Sequence, residues 1–257
     1  MRVHSLDCGT MLPRLVGRLV CHVLLCETDD GLVLVDSGFG TADLTDRRRR
    51  LGAVRLVLRP TYEPAGTALR QLQALGFAAQ DVRHIVLTHL DLDHAGGLSD
   101  FPGALVHTTA AEHTAAVVSP GVAERARYHP AQWSHGPRWQ TYERPGETWN
   151  GFAAAHPLEG LDARFALVPM AGHSRGHAAV AVQTAAGWLL HAGDAAFDRS
   201  SVEPAAPRRA LLAFEQVVAV DRRAVRDNHR RLAALQAGGT AEVITAHDPV
   251  LLARRQA

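Results

Sequence analysis

Val82-Arg83-His84-Ile85-Val86-Leu87-Thr88 runs directly into His89-Leu90-Asp91-Leu92-Asp93-His94-Ala95-Gly96-Gly97. The first seven residues are mostly β-branched or aliphatic and read as a strand. The next six form His-x-Asp-x-Asp-His, and imidazole and carboxylate are the ligands that suit zinc, iron and manganese. In an extended segment residues 89, 91 and 93 point to one side, and His94 follows as the chain turns, toward a second metal position. Ala95-Gly96-Gly97 removes bulk where backbone passes close to the site. The alternative is a polar loop or a helix N-cap rich in carboxylates. Burying such a cluster without a cation is costly for every unpaired charge, and this favours the metal reading.

Outward from this loop, three more ligand-type residues each follow an apolar strand. His173 lies in Met170-Ala171-Gly172-His173-Ser174-Arg175-Gly176-His177, Asp194 in His191-Ala192-Gly193-Asp194, and His247 in Val243-Ile244-Thr245-Ala246-His247-Asp248-Pro249. Any one alone reads as an ordinary buried or loop residue. Taken with the 89–94 loop, they point to strand ends converging on one sheet edge.

The remaining pattern is mixed. Residues 19–26, LVCHVLLC, read as a buried strand, Thr28-Asp29-Asp30-Gly31 as a turn, and 32–36 as the returning strand. That strand ends in the loop Asp36-Ser37-Gly38-Phe39-Gly40. Leu69, Leu72 and Leu75 predict a helix over 66–76. Further strands are expected at 104–108, 164–170, 178–184, 187–191 and 241–245, with helices at 109–117 and, broken, over 208–236. Mixed sheets covered by helices follow. Residues 119–160 hold Trp133, Trp139, Trp149, Tyr128 and Tyr142 with little periodicity. Such a stretch reads as a functional loop. With no repeat and no boundary, the expectation is one domain over 1–257, with a lid or interface insertion at about 119–160. Its aromatics either line a substrate pocket or pack a homodimer interface.

Bulk properties limit the classes. The chain has 257 residues, 47% hydrophobic and 21% charged, enough to build a core. A net charge of +1 gives no footprint for nucleic acid. Arg47-Arg48-Arg49-Arg50 reads as a solvated helix face in preference to an anion site. Cys8, Cys21 and Cys26 form no CxxC pair and read as small buried hydrophobes in a reducing compartment. Met1 to Asp7 carries no signal-peptide pattern, and no apolar run nears the roughly 18 residues of a spanning helix. A cytoplasmic protein without membrane contact is expected. Among 15 histidines, His4, His22, His84, His107, His113, His129, His135, His156, His191 and His229 read as surface or core residues.

The ordered motifs Asp36-Ser37-Gly38, His89 to His94, Gly172-His173-Ser174, Gly193-Asp194 and Ala246-His247 resemble the metallo-β-lactamase-fold hydrolases over most of the chain. Gly172-His173-Ser174-x-Gly176-His177 and Thr245-Ala246-His247-Asp248 are similar to the branch of N-acyl homoserine lactone lactonases and related small-molecule esterases. The resemblance implies an α+β, four-layer αββα sandwich with the site at one edge of two sheets. It also implies two divalent metal ions, zinc in the usual case. One would take His89, Asp91 and His173, and the other Asp93, His94 and His247, with Asp194 bridging them. A hydroxide shared by the metals attacks the substrate, and Asp93 orients it or shuttles its proton. Asp36 is expected to anchor its loop, and His177 reads either as a partner to a metal ligand or as an ordinary core residue.

The implied activity is hydrolysis of a small ester, lactone or thioester. Alternatives are a phosphodiester or phosphonate hydrolase, with Arg175 and Arg199 as nearby cations, and a metal-containing sensor without hydrolysis. Two positions depart from the pattern. Asp91 stands where histidine is usual, which shifts metal preference toward manganese or iron. Phe197 stands where the lactonases carry a tyrosine that binds or polarises the substrate carbonyl, leaving Tyr128, Tyr142 or another group of the aromatic segment to substitute.

Overall fold

In the computed structural model, which describes residues 1–143, 146–154, 157–203 and 208–256, two sheets pack face to face. The larger consists of β1 (Arg2–Met11), β2 (Leu19–Thr28), β3 (Gly31–Val35), β4 (Val82–Val86), β5 (Leu105–Thr109) and β6 (Arg138–Tyr142), in that order. The first three strands are antiparallel; β3 to β6 run parallel. A separate hairpin pairs β7 (Glu147–Trp149) with β8 (Phe152–Ala154). The smaller sheet has β9 (Phe165–Pro169), β10 (Ala178–Thr184), β11 (Gly187–His191) and β12 (Ala241–Ile244) in the order β12-β11-β10-β9.

Strands covered on both faces lose the apolar–polar alternation, and β2 does so. Leu24 and Cys26 point between the sheets, against Val33, Val35, Val86, Phe165, Leu167, Val180 and Ile244. Leu19, Cys21, Val23 and Leu25 point outward, with Leu34, Ile85, Leu87 and Val106, onto helical segments carrying Leu51, Leu72 and Leu98. On the far side, Ala166, Val168, Ala181, Leu190 and Val243 pack under Leu232 and Leu235 of the helix Arg222–Ala237. The result is the expected four-layer αββα sandwich. Truncating a core leucine such as Leu34 to alanine costs about 2–5 kcal/mol.

Cys8, Cys21 and Cys26 are free and buried in β1 and β2, in keeping with the sequence reading. The 208–236 region breaks into Arg209–Val218 and Arg222–Ala237, the second capped by Asp221 accepting from Arg223 N and Ala224 N. β1 and the helix Pro249–Gln256 add to the elements expected from the sequence. The arginine run needs correction at one position. Arg50 is buried, its Nε 2.7 Å from Asp43 Oδ1 and its Nη2 2.8 Å from the Gly96 carbonyl. It is an internal clamp, not part of a solvated face.

The stretch 119–160 contributes ordered parts: the helix Val122–Arg127 and strands β6 to β8. Positions 144, 145, 155 and 156 lie outside the described residues, and His156 with them.

Candidate active site

Each ligand-type residue follows a strand, and the two sheets are joined where those strands end. Ala178 N donates to Thr88 O at 2.9 Å, tying the end of β4 to the start of β10. His22 N donates to Ala246 O at 2.9 Å, tying β2 to the turn after β12. His89, Asp91, Asp93 and His94 follow β4, His173 follows β9, Asp194 follows β11 and His247 follows β12. All seven meet at this edge, in three overlapping groups: His89, Asp91 and His173; His89, His94 and Asp194; Asp93, His94 and His247.

Asp194 sits at the centre. Its Oδ1 faces His247 Nε2 at 3.0 Å and His94 Nε2 at 3.3 Å, and its Oδ2 faces His173 Nε2 at 3.2 Å and His89 Nε2 at 3.8 Å. One carboxylate thus addresses both halves of the cluster. Asp93 Oδ2 lies 3.7 Å from His247 Nε2 and 3.8 Å from His94 Nε2.

The backs of the imidazoles are held. His94 Nδ1 donates to Asp36 Oδ2 at 2.8 Å, and His247 Nδ1 to the Val20 carbonyl at 2.8 Å, so each turns Nε2 into the cluster. His177 Nε2 accepts from Asp194 N at 2.9 Å, which fixes the backbone bearing the central carboxylate. His191 donates to the His22 carbonyl at 2.7 Å and accepts from Gly193 N at 3.2 Å.

Burial works against charge throughout, and neighbours decide the outcome. It opposes ionisation of Asp194, yet His247, His94 and His173 hold that carboxyl well below its usual range. It opposes protonation of His94, yet Asp194, Asp36 and Asp93 push that group well up, and His247 is raised in the same way, chiefly by Asp194. His173 goes the other way, down to about 4, through burial and then Arg127.

His89 Nε2, His94 Nε2 and Asp194 Oδ1 are buried without a hydrogen-bond partner. Orphaned atoms on converging imidazoles and carboxylates are what a divalent metal centre needs before its ion arrives. The donor set fits.

Sequence reasoning missed Arg127 and Glu112. Arg127 Nε lies 2.7 Å from Asp91 Oδ1 and Nη2 2.6 Å from Asp91 Oδ2, a two-point pair. Burial opposes the Asp91 charge, but Arg127 and His89 bring its pKa well below the ordinary value. Glu112 is buried. Its Oε1 accepts from Leu90 N and Tyr128 Oη at 2.9 and 2.8 Å, and its Oε2 from Ser174 Oγ and Gly176 N at 2.7 and 3.1 Å. It ties the 89–94 loop to the His173 loop. Gly176 is required there, because a Cβ would run into the Glu112 backbone.

A cavity of about 510 Å³ opens onto the cluster. Met11, Leu19, Leu58, Phe197, Phe214 and Val218 give it apolar walls, while Asp91, Asp93, Arg127, His173, Asp194 and His247 form its polar end. Phe197 stands edge-on to both His173 and His247, with ring centroids 5.5 and 5.1 Å away.

The other four aromatic candidates do not line this cavity. Tyr128 is buried with its hydroxyl on Glu112, and Trp133 is in the outer core. Trp139 packs on His113, and Tyr142 binds His107. Tyr128, Trp133 and Trp139 pack into the outer core, and Tyr142 into the layer between the sheets. The cations weighed for phosphoester chemistry are also engaged elsewhere: Arg175 pairs with Glu124 and Arg199 with Asp248.

Among the described residues, no helix is long and apolar enough to cross a membrane. Residues 16–238 match the metallo-beta-lactamase superfamily. A probable metallo-hydrolase of Mycobacterium tuberculosis is 47% identical over 258 residues, covering 98% of this chain and 81% of its own. The N-acyl homoserine lactonase AttM of Rhizobium johnstonii is 27% identical over 232 residues, covering 86% of this chain and 78% of its own. A solved N-acyl homoserine lactone hydrolase, with the product N-hexanoyl-L-homoserine at its catalytic metal centre, superposes with a TM-score of 0.74 at 19% identity, covering 98% of this chain and 95% of its own. That likeness is one of fold. The chain belongs to the metallo-beta-lactamase superfamily, as one of its metal-dependent hydrolases.

Proposed function

We propose that this enzyme hydrolyses a small ester, lactone or thioester whose acyl part is apolar. The observation that carries the proposal is the cavity: one end is the His/Asp cluster, and the walls leading from it are aliphatic and aromatic. A substrate with a carbonyl at the polar end and a hydrocarbon along the walls matches this division. Relatives named as N-acyl homoserine lactonases support the same class.

His89, His94, His173, Asp194, His247 and Asp93, with Asp91, are the residues we assign to the metal centre, for zinc or, through the added carboxylate, manganese or iron. When bound, the metal supplies Lewis-acid polarisation of the carbonyl and acidifies water to near-neutral pH. Asp93 lies on the cavity wall beside His247, placed to take a proton from the attacking water and hand it to the leaving oxygen or sulfur. Asp36 and the Val20 carbonyl hold His94 and His247 in the required orientation. Phe197 contributes surface and no hydroxyl, so the carbonyl is not polarised from that side.

The test is a panel of lactones, p-nitrophenyl esters and thioesters of increasing acyl length, with bis-p-nitrophenyl phosphate alongside, on metal-loaded protein. Acyl substrates should turn over, and kcat/KM should rise up to about fourfold for each buried methylene, the equivalent of about 0.8 kcal/mol, until the cavity is full. Faster cleavage of the phosphodiester, or no dependence on acyl length, sinks the proposal.

A further inference from the structure

The guanidinium of Arg127 stands against the cluster, paired with Asp91. Every one of its five N–H bonds has an acceptor. Nε donates to Asp91 Oδ1 at 2.7 Å, Nη1 to His173 O at 2.8 Å and Val218 O at 3.2 Å, and Nη2 to Asp91 Oδ2 at 2.6 Å and to His173 Nε2. A metal ion ligated by Asp91 Oδ2 and His173 Nε2 would stand about 2.0–2.2 Å from both atoms. His173 Nε2 has a single lone pair; Nη2 donates to it, and a lone pair so engaged cannot also bind an ion. Ion and guanidinium exclude each other there.

The opposite end of the cluster has no such occupant. His94 Nε2 and Asp194 Oδ1 have no hydrogen-bond partner, and His247 Nε2 and Asp93 Oδ2 face the same space; His89 Nε2, also unpartnered, lies between the two ends, 3.3 Å from Asp91 Oδ2 and 3.8 Å from Asp194 Oδ2. Charge points the same way. Arg127 takes up the Asp91 carboxylate in a two-point pair, which leaves Asp93 and Asp194 as the carboxylates facing the other end.

We propose that the centre holds one divalent ion tightly, at the Asp93–His94–His247–Asp194 end, and that Arg127 is the built-in cation of the other end. Asp91 is then the partner of Arg127 before it is a metal ligand, which accounts for a carboxylate where the resemblance leads one to expect an imidazole. Arg127 lines the cavity and sets a fixed positive charge beside the reacting carbonyl. The inference rests on the metallo-hydrolase reading and concerns how its two positions are filled.

Native mass spectrometry of the full chain, stripped with chelator and titrated with zinc, counts the ions per chain, and circular dichroism follows the fold. The wild type should take up one ion tightly, and a second only at free zinc about 100-fold higher or more. His247→Ala should lose the tight ion. Arg127→Gln should bind two. Two ions of like affinity in the wild type overturn the inference, as does a folded Arg127→Gln that still binds one. If Arg127→Gln does not fold, the wild-type count and the His247→Ala result decide. A wild type that binds no ion and hydrolyses no acyl substrate sinks the functional reading as well; one that binds two equally and hydrolyses sinks this inference alone.

Discussion

Asp36 and His94, 58 residues apart in the chain, share a buried hydrogen bond of 2.8 Å from Nδ1 to Oδ2. The same carboxylate accepts from Thr88 N and Thr88 Oγ1, each at 2.8 Å. Asp36 therefore joins the end of β3 to the end of β4 and aims His94 from behind. Burial opposes its charge, but His94 keeps its pKa below the usual value, so it meets the imidazole as an acceptor. Asp36 also adopts a φ of 59°, a conformation that asparagine tolerates and most residues do not. Asp36→Asn should keep the fold and present an amide N–H to the His94 N–H. Metal affinity should fall about 10–100-fold in competition with a chromogenic chelator. Unchanged affinity would show that His94 needs no such support.

Glu112 performs the corresponding task for the His173 loop, with four donors on two oxygens. Glu112→Gln replaces one oxygen by a donor and leaves buried N–H or O–H groups unpaired. A loss of about 1–3 kcal/mol is expected, read as a lower urea midpoint. Tyr128→Phe removes one of the four donors and should cost less. Equal losses in the two variants would contradict this division of roles.

What the sequence displays and what it hides differ for a physical reason. Strand-end residues such as His173, Asp194 and His247 are legible because an apolar run stops beside each one, and a sheet brings strand ends together. Arg127 carries no such mark. It lies on a short helix in an irregular stretch, and its partner Asp91 is 36 residues away, so only tertiary structure pairs them. Glu112 stands three residues after Thr109, the pattern of a helix cap. Thr109 does accept from Glu112 N at 3.1 Å, but the Glu112 carboxylate is used across the site. Aromatic residues in 119–160 suggested a pocket wall, whereas aromatic bodies fill core layers just as readily. β1 carries no clear strand signal because its exposed and buried positions do not alternate regularly.

His107 predicts a pH response away from the metal centre. It is fully buried between His84 Nδ1 and the Tyr142 hydroxyl, each 2.9 Å away. Burial, and then His84, lower its pKa to about 3, whereas an unfolded histidine titrates near 6.5. The unfolded chain thus binds more protons, and the stability due to neutral His107 is complete above about pH 6.5 and is lost as pH falls toward 3. The slope from one such group is at most about 1.4 kcal/mol per pH unit. His107→Gln should flatten the pH dependence of unfolding free energy between 6.5 and 4. An unchanged slope would mean that His107 takes up its proton in the folded state.

Asp91 and Arg127 should behave as one unit. Their contact has two points, and Arg127 also reaches the His173 and Val218 carbonyls. Asp91→His removes the carboxylate and strands a guanidinium in a largely buried site, which costs about 3–5 kcal/mol when a buried pair is broken from one side. Arg127→Leu alone leaves Asp91 without its cation and should also destabilise. In the double variant neither charge remains, the leucine adds to the apolar wall, and replacing both members of a buried pair is often close to neutral. The double variant should therefore recover more than half of the loss seen in Asp91→His. Thermal unfolding of the four metal-free proteins measures the coupling. Simple addition of the two single losses would show that the two charges act independently, and that Asp91 is free to serve a metal without regard to Arg127.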